Sequence, residues 1–193
     1  MTIKKRGRPQ KESKALSKDV IIQAAKSLIV SEGKTPSIRS ISAELNVDAM
    51  AIYYYFKNKN VLLEELTTSL ISEIYQPQKD LKWNVELRKL SKSYITLLSK
   101  YDGLLETLLT MKSTSPANVF ISRFKIIMKK LNMSTSIENA SLNLLADYLH
   151  GFSISISCDN TGKLTVDDID ESLDIIFTGI NASIANRKDN LPQ

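Results

Sequence analysis

One cysteine, one histidine and one tryptophan occur among the 193 residues. The lone cysteine excludes an internal disulfide. The His and Cys content falls short of the three or four ligands of a zinc site, so no structural metal is expected. His150 and Cys158 lie eight residues apart on one helical stretch, which does not converge them as nucleophile and base. A glycine-rich phosphate loop and a nucleophile motif are missing too. An enzyme is therefore not expected, and no cofactor is implied. No apolar run approaches the ~20 residues needed to span a bilayer, and the N-terminus lacks the hydrophobic core of a secretory signal. The expected location is the cytoplasm, with no membrane association. Strand-like alternation of any length is also lacking, and helical periodicity runs almost throughout, so the fold class is all-α.

What is present begins with Ser37 to Leu63, SIRSISAELNVDAMAIYYYFKNKNVLL. Ile38, Ile41, Leu45, Val47, Ile52 and Phe56 mark one buried face, interrupted once between Leu45 and Asp48. Asn46 tolerates a left-handed backbone and ends the first helix. Asp48 suits the N-cap of the second by hydrogen bonding and charge, and Ser37 suits the first. Helices this short need packing partners. Ser17 to Gly33 supplies one, with Val20, Ile21, Ala24, Leu28 and Ile29 at helical spacing and Gly33 and Pro36 as stop signals. A fourth helix is expected from Lys59 to near Pro77. The pattern is a helix-turn-helix within residues 16–76, preceded by a flexible basic arm over 1–15 and followed by a helical domain over 77–193.

Charge divides the chain along the same boundary. Residues 1–60 hold twelve Lys or Arg against five Asp or Glu, and residues 61–193 hold fourteen against sixteen, so the net +5 is a +7 head on a −2 body. A basic head is the electrostatic footprint of phosphate binding; taken alone it equally describes a solvated basic face. The arm, Lys4 to Lys11, has no apolar stripe and is expected to be disordered when free. Its Arg6-Gly7-Arg8-Pro9 resembles the core of an AT-hook, which implies arginines in a narrow A·T minor groove; the alternative is a nonspecific basic tail.

The stretch resembles the DNA-binding domain of the tetracycline-repressor (TetR) family of bacterial transcription regulators. In that signature a tyrosine, two variable residues and an aromatic precede a lysine opening the next helix, here Tyr53, Phe56 and Lys59. The resemblance runs over about Leu16 to Leu66 and includes Gly33, Ser37, Ile41, Val47, Leu62 and Leu63. It departs at Asn46 for the usual glycine, Ser42 for alanine, Tyr55 for histidine and Asp48 for serine or threonine. Each substitute can do the same backbone or packing job.

Docking geometry brings the N-terminal end of the second helix into the major groove, with Ala49, Met50 and Tyr54 near base edges. The two apolar ones offer only van der Waals contact, for example to a thymine methyl. The resemblance implies base contact for Arg39, and phosphate contacts for Thr35, Ser37, Tyr53 and Lys59, which set register without reading sequence. Packing with a wet hydroxyl is the alternative for Tyr53 and the favoured role for Tyr55.

Helical segments in residues 77–193 are expected at Trp83 to Lys100, Leu104 to Met111, from Ser115-Pro116, from a Thr135–Glu138 capping box to Cys158, and from Val166 to Asn186. The resemblance implies that the last two pair with a second copy. Their apolar stripes nominate Leu145, Leu149, Phe152, Ile156, Leu173, Ile176, Phe177 and Ile180 for that homodimer interface, a core within one subunit being the alternative. It also implies a small-molecule effector inside the domain, for which Tyr94, Tyr101, Phe120, Phe124, Tyr148 and His150 are candidate contacts or, alternatively, core. The expected function is a dimeric repressor of double-stranded operator DNA, released by its effector and nucleoid-associated when bound. A helical protein applying its basic head to an acidic partner or membrane surface is the competing class; the basic arm lacks the apolar face that membrane docking needs.

Overall fold

The computed structural model describes residues 15–101 and 103–189, and Arg6 and Arg8 of the basic arm lie outside them. All regular structure among the described residues is helical: α1 Lys18–Glu32, α2 Ile38–Leu45, α3 Ala49–Tyr55, α4 Lys59–Ile71, α5 Trp83–Lys100, α6 Leu104–Thr110, α7 Ser115–Met128, α8 Thr135–Cys158 and α9 Asp170–Asp189, with single 3-10 turns at Lys129–Leu131 and Val166–Ile169. None of these helices is long and apolar enough to cross a membrane.

The first four helices begin on their own side chains. Ser17 accepts from the Val20 amide at 3.2 Å, Ser37 from Ser40 at 3.0 Å, Asp48 from Met50 at 2.7 Å and Asn58 from Val61 at 3.0 Å. Each bond satisfies one of the amides a helix start leaves free. Gly33 and Asn46 end α1 and α2 in the left-handed region, at φ 62° and 53°. Ser40 completes the cap of α2 by accepting from the Ser37 amide at 2.9 Å, a reciprocal pair of the capping-box kind.

α1 to α3 pack around Ile21, Ile41, Ile52 and Phe56, all without solvent exposure. α4 lies against α1 on one side and α7 on the other, so it belongs to both domains, and a single apolar core runs from α1 to α9. Two ion pairs of 2.6 Å tie α1 to α4 through Lys18–Glu65 and to the turn that follows α4 through Lys26–Glu73. In the larger domain α5 packs on α7 and α8, and α9 on α8.

Four boundaries differ from expectation. α4 stops at Ile71, six residues before Pro77, because the buried Arg123 of α7 donates to the carbonyls of Ile74 at 2.5 Å and Ser72 at 2.9 Å. Continuing the helix would remove those acceptors from reach. Ser134, not Thr135, caps α8, accepting from Ile137 at 3.3 Å. Ser115 is the first residue of α7 rather than its cap, and its amide donates to Ser113 Oγ at 3.2 Å. The start of α9 is preceded by a 3-10 turn with its own Thr165–Asp168 capping box.

The residues nominated for the homodimer interface face the core of the single chain. Leu145, Leu149, Leu173, Ile176, Phe177 and Ile180 are buried inside the single chain, and Phe152 and Ile156 pack half-buried on the same core. The most apolar stripe of each helix turns inward, because most of the apolar area to be removed from water lies there. The outward faces of α8 and α9 carry Leu144 and Ile175, 56% and 74% exposed, with Gly151, Gly179 and Ala182 beside them.

Candidate nucleic-acid interface

The turn between α2 and α3 is short because Asn46 reverses the chain at once, its amide returning to Ala43 O at 3.1 Å while Val47 bonds Ser42 O at 3.0 Å. Asp48 then starts α3. With Ile52 and Phe56 anchored in the core, the opposite side of α3 must face solvent, and it presents Met50 at 71% and Tyr54 at 86% exposure. Large hydrophobic side chains left this exposed on a rigid helix mark a contact surface when charged groups surround them. Arg39 on α2, Lys57 after α3 and Lys59 at the start of α4 are all exposed nearby in the fold. Ala49 is half-buried at the first position of α3, and Tyr53 is 43% exposed. This face therefore combines an apolar and aromatic ridge with flanking cations, the composition needed to enter a groove and bind the phosphates along it.

Tyr55 turns the other way. Its hydroxyl donates to Leu16 O at 2.6 Å, locking the entry to α1 against α3, while its ring meets Tyr54 edge-on at 5.2 Å. Three adjacent tyrosines thus divide their work: Tyr55 packs, Tyr54 projects and Tyr53 lies on the flank. Ser37 is exposed but serves first as a cap. Thr35 is half-buried, and its hydroxyl shares a 3.3 Å hydrogen bond with Thr107 of α6, which joins the small domain to the large one. Sequence reasoning missed Ser40 and Asn58, the two caps that orient α2 and α4. The serine three residues after Ser37 and the asparagine just before Lys59 were the available signals.

In the larger domain Tyr94, Tyr101, Phe120 and Phe124 are buried and Tyr148 and His150 half-buried. Tyr94 sits at the centre, its hydroxyl 3.0 Å from His150 Nε2 and its ring 4.8 Å from Phe120. Burial pushes the Tyr94 phenol up and the His150 imidazole below its usual range, the latter opposed by the charge of Asp147. At neutral pH both are uncharged, as a packed aromatic cluster requires. Arg88 and Lys92 of α5 hold the start of α9 through Asp167, Asp170 and Asp174, including 2.7 Å contacts from Arg88 to Asp170 and Lys92 to Asp167. No group of three or more His, Cys, Asp or Glu able to hold a metal occurs among the described residues.

Comparison with known proteins agrees with this geometry. Residues 21–66 match the sequence profile of the bacterial regulatory proteins of the tetR family. No curated protein matches the chain. Among solved structures, apo ActR from Streptomyces coelicolor is similar with a TM-score of 0.77 at 15% identity, over 90% of this chain and 99% of that one. BioQ on its double-stranded DNA operator has a TM-score of 0.69 at 17% identity, over 86% and 98%. A TetR variant from Acinetobacter baumannii in complex with minocycline has 0.65 at 21%, over 90% and 97%. The likeness of fold thus extends through both domains, and the profile match falls on the helices that build the exposed face. Residues 21–66 match the DNA-binding domain of the tetR family of bacterial regulatory proteins, and the chain shares the fold of these solved regulators.

Proposed function

We propose that the protein acts as a homodimeric repressor that holds operator DNA with two copies of the α2–α3 face and lets go when a small molecule binds its larger domain. The observation that carries the DNA half is the face itself: Met50 and Tyr54 stand exposed on a helix fixed by Ile52 and Phe56, with Arg39, Tyr53 and Lys59 around them. Arg39 reads a base, Ala49, Met50 and Tyr54 meet base edges, Ser37, Tyr53 and Lys59 fix register on phosphates, and Arg6 and Arg8 add minor-groove contacts. BioQ seen on its operator supports the mode of binding, and the minocycline complex of a TetR variant supports ligand response.

Dimerisation is supported by the outward faces of α8 and α9. Gly151 and Gly179 lie within these helices, where a glycine costs stability relative to alanine. A Cβ built on either meets nothing within 4 Å in the single chain. Packing inside the subunit does not call for them, whereas close approach of a second copy beside Leu144 and Ile175 does. A two-fold pair reaches half-sites roughly 34–36 Å apart or a multiple of it.

The test is a mobility shift with DNA flanking the protein's own gene and excess random competitor. Retention at a discrete site supports the reading; equal competition by random DNA overturns it. Sedimentation gives the oligomer directly. The wild type is expected as a dimer at micromolar concentration and Ile175→Glu as a folded monomer with weaker operator binding.

A further inference from the structure

The loop between α6 and α7 lies against the first half of α4, where Asn60 and Glu64 face Met111, Lys112 and Ser113 across a shared recess. This loop is fixed on both sides of Lys112. The Met111 amide closes α6 on Thr107 O at 3.1 Å, and the hydroxyls of Ser113 and Ser115 donate to one oxygen of Glu64 at 2.6 Å and 2.8 Å. Those two bonds, the one from Ser113 first, hold the Glu64 carboxyl below its ordinary range, so it is ionised at neutral pH.

Lys112 takes no part in that arrangement. It is exposed, and among the described residues its ammonium has no hydrogen bond and no ion pair. Glu64, the carboxylate of the same recess, is taken by the two serines. Asn60, across from Lys112, directly follows Lys59, the α4 residue proposed above to hold a phosphate, and both are exposed. Residues 61–193 are net acidic, with fourteen Lys or Arg against sixteen Asp or Glu. A free cation of this acidic portion thus stands beside the basic reader, at the end of α4 where DNA phosphates would run. A merely solvated lysine needs no such fixture. The serine–glutamate bonds hold the loop in place beforehand, so seating Lys112 on DNA costs little further ordering.

We propose that Lys112 is a DNA-backbone contact made by the larger domain, extending the phosphate-binding surface from Lys59 at the start of α4 to the α6–α7 loop. The inference rests on the α2–α3 face as the operator surface. A lysine acts as a point charge on a flexible stem, so it adds affinity and carries no sequence preference. The larger domain then grips DNA itself, besides carrying the small domain.

Operator titrations of the full chain at several salt concentrations test this, with Lys112→Gln beside two charge-matched variants. Lys59→Gln removes the contact at the start of α4. Lys82→Gln removes an exposed cation beyond the other end of α4, a helix about 20 Å long. Lys112→Gln is expected to lower the slope of log affinity against log salt by about 0.9 per copy, about 1.8 in a dimer, and to weaken binding about 10- to 60-fold at 0.1 M salt. The loss is expected to be equal on operator and random DNA with the thermal melt unchanged, and Lys112→Arg, which keeps the charge, to bind as the wild type. If Lys112→Gln behaves as Lys82→Gln while Lys59→Gln lowers the slope, the Lys112 contact is overturned and the operator face stands. If neither Lys59→Gln nor Lys112→Gln changes the slope, the operator face falls with it. A Lys112→Gln loss confined to one base position also overturns the backbone contact.

Discussion

The two domains start and stop their helices by different means. In the small domain Ser17, Ser37, Asp48 and Asn58 each cap the helix they precede, and Gly33 and Asn46 supply the left-handed stops. In the large domain α5, α6 and α7 start without a side-chain cap. The link between the domains is instead held by distant groups. Arg123 binds the carbonyls of Ser72 and Ile74, Ser93 accepts from the Tyr75 amide at 2.8 Å, and the fully buried Glu86 accepts from Tyr75 Oη at 3.1 Å and the Gln78 amide at 2.8 Å. Lys130 adds bonds to three more carbonyls, the shortest 2.7 Å to Leu81. Local encoding suits a rigid reader whose side chains must sit in register with DNA. Long-range encoding gives the other half a fold whose helix ends depend on how its elements are placed.

Removing the largest long-range anchor should have the largest effect. Arg123→Leu leaves two carbonyls and the space around them unsatisfied, with an expected loss of about 2–4 kcal/mol in urea denaturation. If the loss is only a few tenths, the link is not held from α7. Arg39→Ala, on the locally built side, should leave stability unchanged and weaken operator binding by about 1–3 kcal/mol while flattening preference at one base. Equal weakening on every sequence would make it a phosphate contact. Asp48→Ala should cost about 1 kcal/mol of stability through the lost cap, and Asp48→Asn should restore most of it.

The smallest effect is a pH response at the α8–α9 connection. Hydrogen bonds from the Leu164 amide and from Thr161 hold Asp159 down at about 2, and contacts from Lys92 and Arg88 lower Asp170. Both carboxylates are depressed in the folded state. Their contribution is therefore complete above the ordinary Asp range and fades as pH falls through the folded values. Carboxyl NMR titration should show Asp159 still ionised at pH 3, and a midpoint near 4 would mean that the turn is open.

This contrast also governs what could be read from sequence. Periodicity located the long helices, and Ser17, Gly33, Asn46 and Asp48 fixed boundaries because a cap is a property of a few adjacent residues. The end of α4 was unreadable, since it is set by an arginine about fifty positions later in the chain. The apolar stripes of α8 and α9 differ in another way. Apolar content identifies the face that leaves water first, and in α8 and α9 that face is the subunit's own core. The contact of Thr35 with Thr107 was unreadable too, because nothing in the neighbourhood of Thr35 announces a partner 72 positions away.

The hydrogen bond between Thr35 and Thr107 has a thermodynamic corollary. It joins the segment leading into α2 to α6 of the larger domain, so the proposed operator face and the proposed effector-binding domain share one structural element. Linkage then runs in both directions: whatever factor the ligand takes from operator affinity, the operator takes from ligand affinity. A population of this protein sitting on its operator would sense the small molecule less acutely than the free population does, and the threshold of response would rise with the number of operator copies.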